Sequence, residues 1–170
     1  GARLAYALAS PANDVTLADL ARLTDVFYIG GTKCGSLFGE AVVIPERGSI
    51  RQFVTHMKQH GALLAKGRLL GVQFEALFEE GLYLTIGEPA VKATARIREA
   101  LKRAGYVVTM DSPTNLTFVA LDQAGHERLS DKVRYSIWET LPDGRLLARI
   151  GTSWATPEED VVAFEQALAR

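Results

Sequence analysis

The sequence is poor in cysteine and in net charge. It contains one cysteine in 170 residues, and nineteen basic residues stand against twenty acidic ones. A single thiol cannot form an internal disulfide, which predicts a reducing compartment and a cytoplasmic location. Balanced charge, with no run of Lys or Arg between aromatic residues, argues against nucleic acid as a partner. No apolar stretch reaches the length of a membrane span, so we expect no membrane partner either.

Metal ligands are also sparse. His56 and His60 lie four residues apart, but no third ligand falls at metal spacing. We therefore predict that these two and His126 are surface histidines and that the chain holds no metal. Cys34 is expected to be a packed small residue rather than a nucleophile.

Apolar residues, in contrast, are abundant. They make up 48% of the chain, enough to bury about two-thirds of the unfolded surface around one core or two small ones. The sequence begins at Gly1 in the middle of an apolar pattern, without a methionine or a capping residue. We therefore expect a fragment or a processed chain.

The first fifty residues predict a small α/β layer. Thr16 has the position of a helix cap before Leu17–Leu23. Two short β-branched runs, residues 26–29 and 41–44, predict buried strands on either side of a glycine-rich loop, residues 30–39. Two strands are too few to bury a sheet, which supports the expectation of missing sequence.

A long apolar-stripe segment follows. The spacing of Ser49-Ile-Arg-Gln52 predicts a capping box that opens a helix. Gly61, Gly67 and Gly71 interrupt this segment, so we expect it to bend or to meet another backbone closely.

The remainder predicts a compact α+β unit. A helix from Glu88-Pro89 to Gly105 is followed by a change to a period of two. The predicted elements after it are strands at 106–110, 116–121, 135–140 and 145–150, a helix near 127–132, and a last helix capped by Thr156. Trp138 and Trp154 are expected in the core. We therefore divide an α/β chain into residues 1–50, the end of a large-domain sheet, a helical connector, 51–84, and a small α+β domain, 85–170.

Lys33 is the strongest candidate for chemistry. It follows an apolar strand and a Gly-Gly-Thr turn, where Gly30 and Gly31 allow close backbone approach and Thr32 adds a hydroxyl. A desolvated lysine has a lowered pKa and can attack a carbonyl, so the pattern favours an imine-forming lysine beside a bound phosphate. The alternative is an ordinary lysine in a solvated turn.

Gly1-Ala-Arg3, followed further along by Tyr28-Ile-Gly-Gly-Thr-Lys33, resembles the threonine aldolase/β-eliminating lyase family. The resemblance implies the C-terminal half of a fold type I enzyme that depends on pyridoxal 5'-phosphate. It also implies that Lys33 carries the cofactor as an imine and that Thr32, Gly31, Gly30 and Arg3 lie against it. An aspartate of the family motif would immediately precede Gly1, so the resemblance predicts a companion N-terminal half chain, and a homo-oligomer.

Arg149 is the candidate for the substrate. The resemblance implies an arginine near the end of the last strand of the small domain that binds the substrate α-carboxylate, together with Arg3. An exposed strand residue is an equal alternative, and Arg145 fits the same alternation. The connector lacks the family's triple glycine and following arginine, and Lys66 and Arg68 are better explained as solvated charges.

The resemblance implies a lyase of amino acid metabolism that cleaves β-hydroxy-α-amino acids, a small-molecule substrate class, to glycine and an aldehyde. Two alternatives stay open. The protein could be an aminotransferase or β-eliminating lyase of the same fold, or a non-catalytic fragment that acts in dimerisation or binding. Without its N-terminal half, we expect this chain alone to be inactive or nearly so.

Overall fold

The computed structural model describes residues 1–169. Its helices and strands, labelled in chain order, are α1 (Leu4–Leu8), α2 (Leu17–Leu23), β1 (Phe27–Gly30), β2 (Glu40–Val43), α3 (Phe53–Gln59), α4 (Arg68–Phe78), α5 (Leu82–Thr85), α6 (Glu88–Arg103), β3 (Val107–Val108), β4 (Leu116–Leu121), α7 (Gln123–Ser130), β5 (Ser136–Thr140), β6 (Leu146–Gly151) and α8 (Glu158–Leu168). No helix among these residues is long and apolar enough to cross a membrane.

The chain forms two compact units. The first, which we call the lysine unit, contains Gly1–Leu8 and Asn13–Ile86. The second, which we call the sheet unit, contains Ala9–Ala12 and the chain from Gly87 onward. The helical connector, residues 51–84, clusters with the lysine unit.

The lysine unit is built on one β-hairpin. Strands β1 and β2 pair antiparallel, with Tyr28 opposite Val42 and Ile29 opposite Ala41. Both predicted strands are present, displaced by one residue. Helix α2 begins at the predicted residue, because the Thr16 side chain accepts from the Asp19 amide and the Asp19 side chain accepts from the Thr16 amide.

The connector is interrupted, as the sequence predicted, but its first helix begins later than expected. Gln52 has φ 53°, its side chain caps nothing, and helix α3 begins only at Phe53. The chain breaks again where Gly61 adopts φ 68°, and α4 starts after Gly67. The capping-box prediction at Ser49 is therefore wrong, while the predicted interruption at two of the glycines is confirmed.

A small core holds the lysine unit together. Its buried members come from α1, β1, the turn after β1, α4 and α5, and they are Ala5, Ile29, Cys34, Leu77 and Tyr83. Burying these side chains is what fixes the turn after β1 on the helices, since the hairpin alone is too small to be stable.

The sheet unit contains a four-stranded antiparallel sheet with strand order β3-β4-β6-β5. Strand β4 has the predicted bounds. The predicted strand at 106–110 is reduced to Val107–Val108, which pairs with β4 at one edge of the sheet. The β5–β6 connection turns at Gly144, whose φ of 84° favours glycine.

Helices α6 and α8 pack on one face of this sheet. Helix α6 has Pro89 in its first turn and the predicted apolar stripe, and it ends beside Gly105 with φ 82°. The core between helices and sheet comprises Ala93, Ile97, Ala100, Leu101, Val119, Leu121, Leu129, Ala148, Ile150, Val161 and Leu168. These residues give the sheet unit a continuous apolar interior.

Two details of this unit differ from the prediction. Thr156 does not cap α8: Pro157 occupies the cap position, and the Thr156 hydroxyl accepts from the Ser153 amide instead. Trp138 and Trp154 are not core residues, being 56% and 45% exposed. Trp138 lies on β5, whose residues are all exposed, so an apolar side chain is not enough to bury it.

Candidate functional site

The turn that carries Lys33 has a tightly held backbone. The amides of Cys34 and Ser36 both donate to the carbonyl of Gly31, at 2.9 Å and 3.0 Å. The buried hydroxyl of Tyr6 donates to the carbonyl of Lys33 itself. The peptide group that follows the lysine is thus fixed through both its carbonyl and its N–H, which restricts where the lysine side chain leaves the backbone.

A glutamine of α4 holds the next residues. The Oε1 atom of Gln73 accepts from the Leu37 amide at 2.7 Å and from the Phe38 amide at 3.3 Å, and lies 2.9 Å from the Ser36 hydroxyl. Its Nε2 donates to the carbonyl of Leu69 at 3.0 Å. The sequence analysis did not single out Gln73 as a site residue. The available signal was a polar side chain falling on the apolar stripe of the connector.

Glycines are required where this turn meets its neighbours. A Cβ on Gly30 would lie 2.5 Å from the Cα of Ala2, and one on Gly31 would lie 2.6 Å from the Cβ of Ser36. The close backbone approach expected at these two positions is therefore present, and it serves packing within the lysine unit.

The Lys33 side chain is exposed, as is its neighbour Thr32. The sequence predicted a sheltered amine, and residues 1–169 do not provide that shelter. The reason is local: Cys34 takes the inward position of the turn, at 1% exposure, and leaves Lys33 facing outward. Lys33 makes no ion pair with any described residue, so its amine is available to a ligand.

The inward-facing side chains of Cys34 and Tyr83 are not reactive groups. Burial raises the pKa of the Cys34 thiol to about 11, so at neutral pH the thiol is protonated and is not a nucleophile, as predicted. Burial also raises the pKa of Tyr83, whose hydroxyl donates to the carbonyl of Gly30 at 3.1 Å. Both groups act as neutral packing and hydrogen-bonding residues.

The segment that carries Arg3 lies beside the end of β1. The Gly1 nitrogen donates to the carbonyl of Tyr28 at 2.7 Å, and the Gly30 amide donates to the carbonyl of Gly1 at 3.2 Å. Arg3 itself is exposed and forms no ion pair among the described residues. The fold therefore brings the Gly-Ala-Arg segment and the lysine turn, distant in sequence, to the same end of one strand.

Arg149 and Arg145 are clearly distinguished in the sheet unit. Arg145 pairs with Asp143 at 2.7 Å, and hydrogen bonds to that carboxylate raise the pKa of the guanidinium. Arg149 forms no ion pair within residues 1–169, and its guanidinium carbon lies 4.6 Å from the ring centroid of Trp138. Of the two, Arg149 is the arginine with free hydrogen-bonding capacity.

The remaining candidates form no site. Lys66 and Arg68 are exposed, as predicted for solvated charges, and so are His56 and His60. His126 differs from the prediction: it is half-buried, with Nδ1 2.7 Å from the Tyr135 hydroxyl. Among the described residues, no three histidine, cysteine, aspartate or glutamate side chains cluster closely enough to hold a metal ion.

The chain contains a strand that leads to the lysine turn, a helical connector and a small α+β unit, the elements that the resemblance implies for the C-terminal part of a fold type I α/β enzyme. Comparison with solved structures agrees: over its full length the chain matches a Leishmania major threonine aldolase, with a TM-score of 0.91 and 42% sequence identity. The chain belongs to the threonine aldolase/β-eliminating lyase family and matches the C-terminal part of that enzyme.

Other comparisons extend or limit this result. A Sphingomonas wittichii serine palmitoyltransferase matches 85% of the chain, and 39% of its own length, at a TM-score of 0.58 and 16% identity, which shows a shared fold. The chain spans 50% of the length of the Leishmania enzyme. Neither the family models nor the curated proteins that were searched gave a match.

Proposed function

We propose that the protein to which this chain belongs is a pyridoxal-phosphate-dependent lyase that cleaves β-hydroxy-α-amino acids to glycine and an aldehyde. The observation that carries the proposal is the 42% identity to a threonine aldolase over the full length of the chain, which includes the hydrogen-bonded turn that holds Lys33. The same identity favours the aldolase over the aminotransferase alternative.

The described residues fit this cofactor as an attachment point. Lys33 Nζ would hold the aldehyde carbon covalently, which requires an accessible amine without a competing carboxylate. The exposed Thr32 hydroxyl beside it can donate to a phosphate oxygen. When bound, pyridoxal phosphate supplies the electron sink that stabilises the carbanion left by Cα–Cβ cleavage.

Two arginines would orient the substrate. Arg149, which has no carboxylate partner among the described residues, can bind the α-carboxylate through two parallel N–H donors. Arg3 can bind the same carboxylate or an oxygen of the cofactor. Fixing the carboxylate determines which bond at Cα is aligned for cleavage, and this is the contribution of these residues to specificity.

We further propose that a companion N-terminal half completes the site. The two hydrogen bonds of Gly1, to Tyr28 and from Gly30, follow the pattern of parallel strands. Sequence placed before Gly1 would therefore run beside β1, with the aspartate of the family motif beside Tyr28. A homo-oligomer and a cytoplasmic location remain predictions.

The attachment of cofactor can be tested by chemical trapping. The chain, with and without its N-terminal half, is incubated with pyridoxal phosphate, reduced with borohydride and analysed by peptide mass. We expect the added mass on Lys33, its loss in Lys33→Ala, and its retention in the control Lys66→Ala. Label on other lysines with Lys33 unmodified would refute the attachment.

The reaction is tested on the complete protein. Threonine should yield glycine and acetaldehyde in equal amounts, with turnover reduced more than a thousandfold in Lys33→Ala. A keto acid product would instead identify the aminotransferase or eliminating alternative. Full turnover by the isolated chain would contradict the companion half.

A further inference from the structure

Arg149 lies within an aromatic cluster on the sheet. Its guanidinium carbon is 4.6 Å from the centroid of the Trp138 ring. Phe118, its cross-strand partner on β4, meets the same indole edge-on, with ring centroids 6.2 Å apart and an interplanar angle of 77°. Three neighbouring strands, β4, β6 and β5, therefore each contribute one side chain to this cluster.

The exposure of Trp138 calls for a reason. A tryptophan that is 56% exposed gains little from apolar burial, yet here its ring contacts Phe118 and the Arg149 guanidinium lies over it. An indole attracts a guanidinium through its ring face, and the contact restricts the plane of the cation. The N–H groups of a guanidinium point outward from its edges, so a contact on its face leaves them free.

We propose that Trp138 is a positioning residue for the substrate carboxylate, acting by fixing the plane of the Arg149 guanidinium. This inference rests on the proposed role of Arg149. A free arginine side chain has several rotamers, and a carboxylate that binds it must select one. A side chain already held against an indole presents its donors in one orientation, and the carboxylate binds more tightly because less freedom is lost.

The test uses the complete protein loaded with cofactor. Trp138→Leu removes the ring and keeps apolar bulk, whereas Trp138→Phe keeps a ring face. We expect the leucine variant to raise KM for threonine about fivefold to tenfold with kcat within twofold, and the phenylalanine variant to restore most of the affinity. Ile137→Val, on the same strand, serves as the control and should leave both constants unchanged.

A second measurement does not depend on activity. In the cofactor-free protein, the side-chain protons of Arg149 should show upfield NMR shifts from the indole ring current. These shifts should vanish in Trp138→Leu while circular dichroism stays that of the folded protein. Unshifted Arg149 protons in the unmodified protein would overturn the inference.

Failure of this inference can be told apart from failure of the proposed function. If Arg149→Lys raises KM strongly and Trp138→Leu does not, Arg149 binds the carboxylate without help from the indole, and the inference is wrong. If Arg149→Lys leaves KM unchanged, the role proposed for Arg149 fails, and the positioning role fails with it. An equal loss of kcat in the leucine and phenylalanine variants would indicate a merely structural role and would also overturn it.

Discussion

The lysine unit and the sheet unit differ in the size of their buried cores. The sheet unit covers a four-stranded sheet with two helices and closes a continuous core. The lysine unit has only a two-stranded hairpin, and it exposes large apolar side chains on that hairpin, on the lysine turn and on α4, among them Tyr28, Leu37, Phe38, Val42, Leu69 and Val72. The sheet unit has the larger buried core, and the lysine unit carries the candidate lysine on a smaller one.

This contrast teaches that the turn of Lys33 is held by backbone hydrogen bonds and close contacts rather than by a large core. Its turn depends on single donors such as Tyr6 and on glycines without room for a Cβ. The exposed apolar side chains of the lysine unit are ones that the predicted companion half could cover.

The strongest test of this difference is to produce the two units separately. We expect residues 87–170, produced alone, to unfold cooperatively, and residues 1–86, produced alone, to lack a cooperative transition because their core is small. Thermal unfolding followed by circular dichroism measures both. A cooperative transition in residues 87–170 only would support the difference between the units, and a cooperative transition in both segments would contradict it.

A matched pair of glycine substitutions tests how tightly the turn of the lysine unit is packed. In Gly30→Ala the new Cβ would lie 2.5 Å from backbone at Ala2, so we expect a loss of about 1–3 kcal/mol in the free energy of unfolding. In Gly71→Ala nothing lies within 4 Å, and we expect a gain of about 1 kcal/mol from helix propensity. Urea titration of both variants gives the two values, and equal effects would disprove the tight packing of the turn.

The smallest effect is expected in the sheet unit, at the ion pair between α6 and α8. Arg96 hydrogen-bonds Glu165 at 2.7 Å and lowers the pKa of that carboxylate below its ordinary 4.5. A lowered acid pKa stabilises the fold above the unfolded value and ceases to do so as pH falls through the folded value. We expect Glu165→Gln to lower Tm slightly at pH 7 and not at pH 2.

Glu159→Gln provides the control for that experiment, because Glu159 is exposed and makes no ion pair among the described residues. A loss of Tm in Glu165→Gln that is the same at both pH values would contradict the electrostatic explanation.

Local patterns predicted much of the fold. Strand β4 and helix α2 have their predicted bounds, since an apolar run and a capping box each act within a few residues. The capping box expected at Ser49 failed although its letters fit, because Gln52 takes a left-handed conformation that no local pattern reveals.

The candidate site was less predictable than the fold. Lys33 and its glycines could be found from sequence spacing, but the hydrogen bonds of Tyr6 and Gln73 to the turn join residues far apart in the chain. The exposure of Trp138 was also missed, because an apolar residue in a strand does not reveal which face is covered.

The inward orientation of Cys34 has a practical consequence. Its thiol is protonated at neutral pH and almost wholly inaccessible, whereas the adjacent amine is open to solvent. A maleimide can therefore reach the sulfur only when the turn itself opens. The rate at which Cys34 is labelled therefore reports how often the turn around Lys33 opens. A companion half that binds this region would lower that labelling rate.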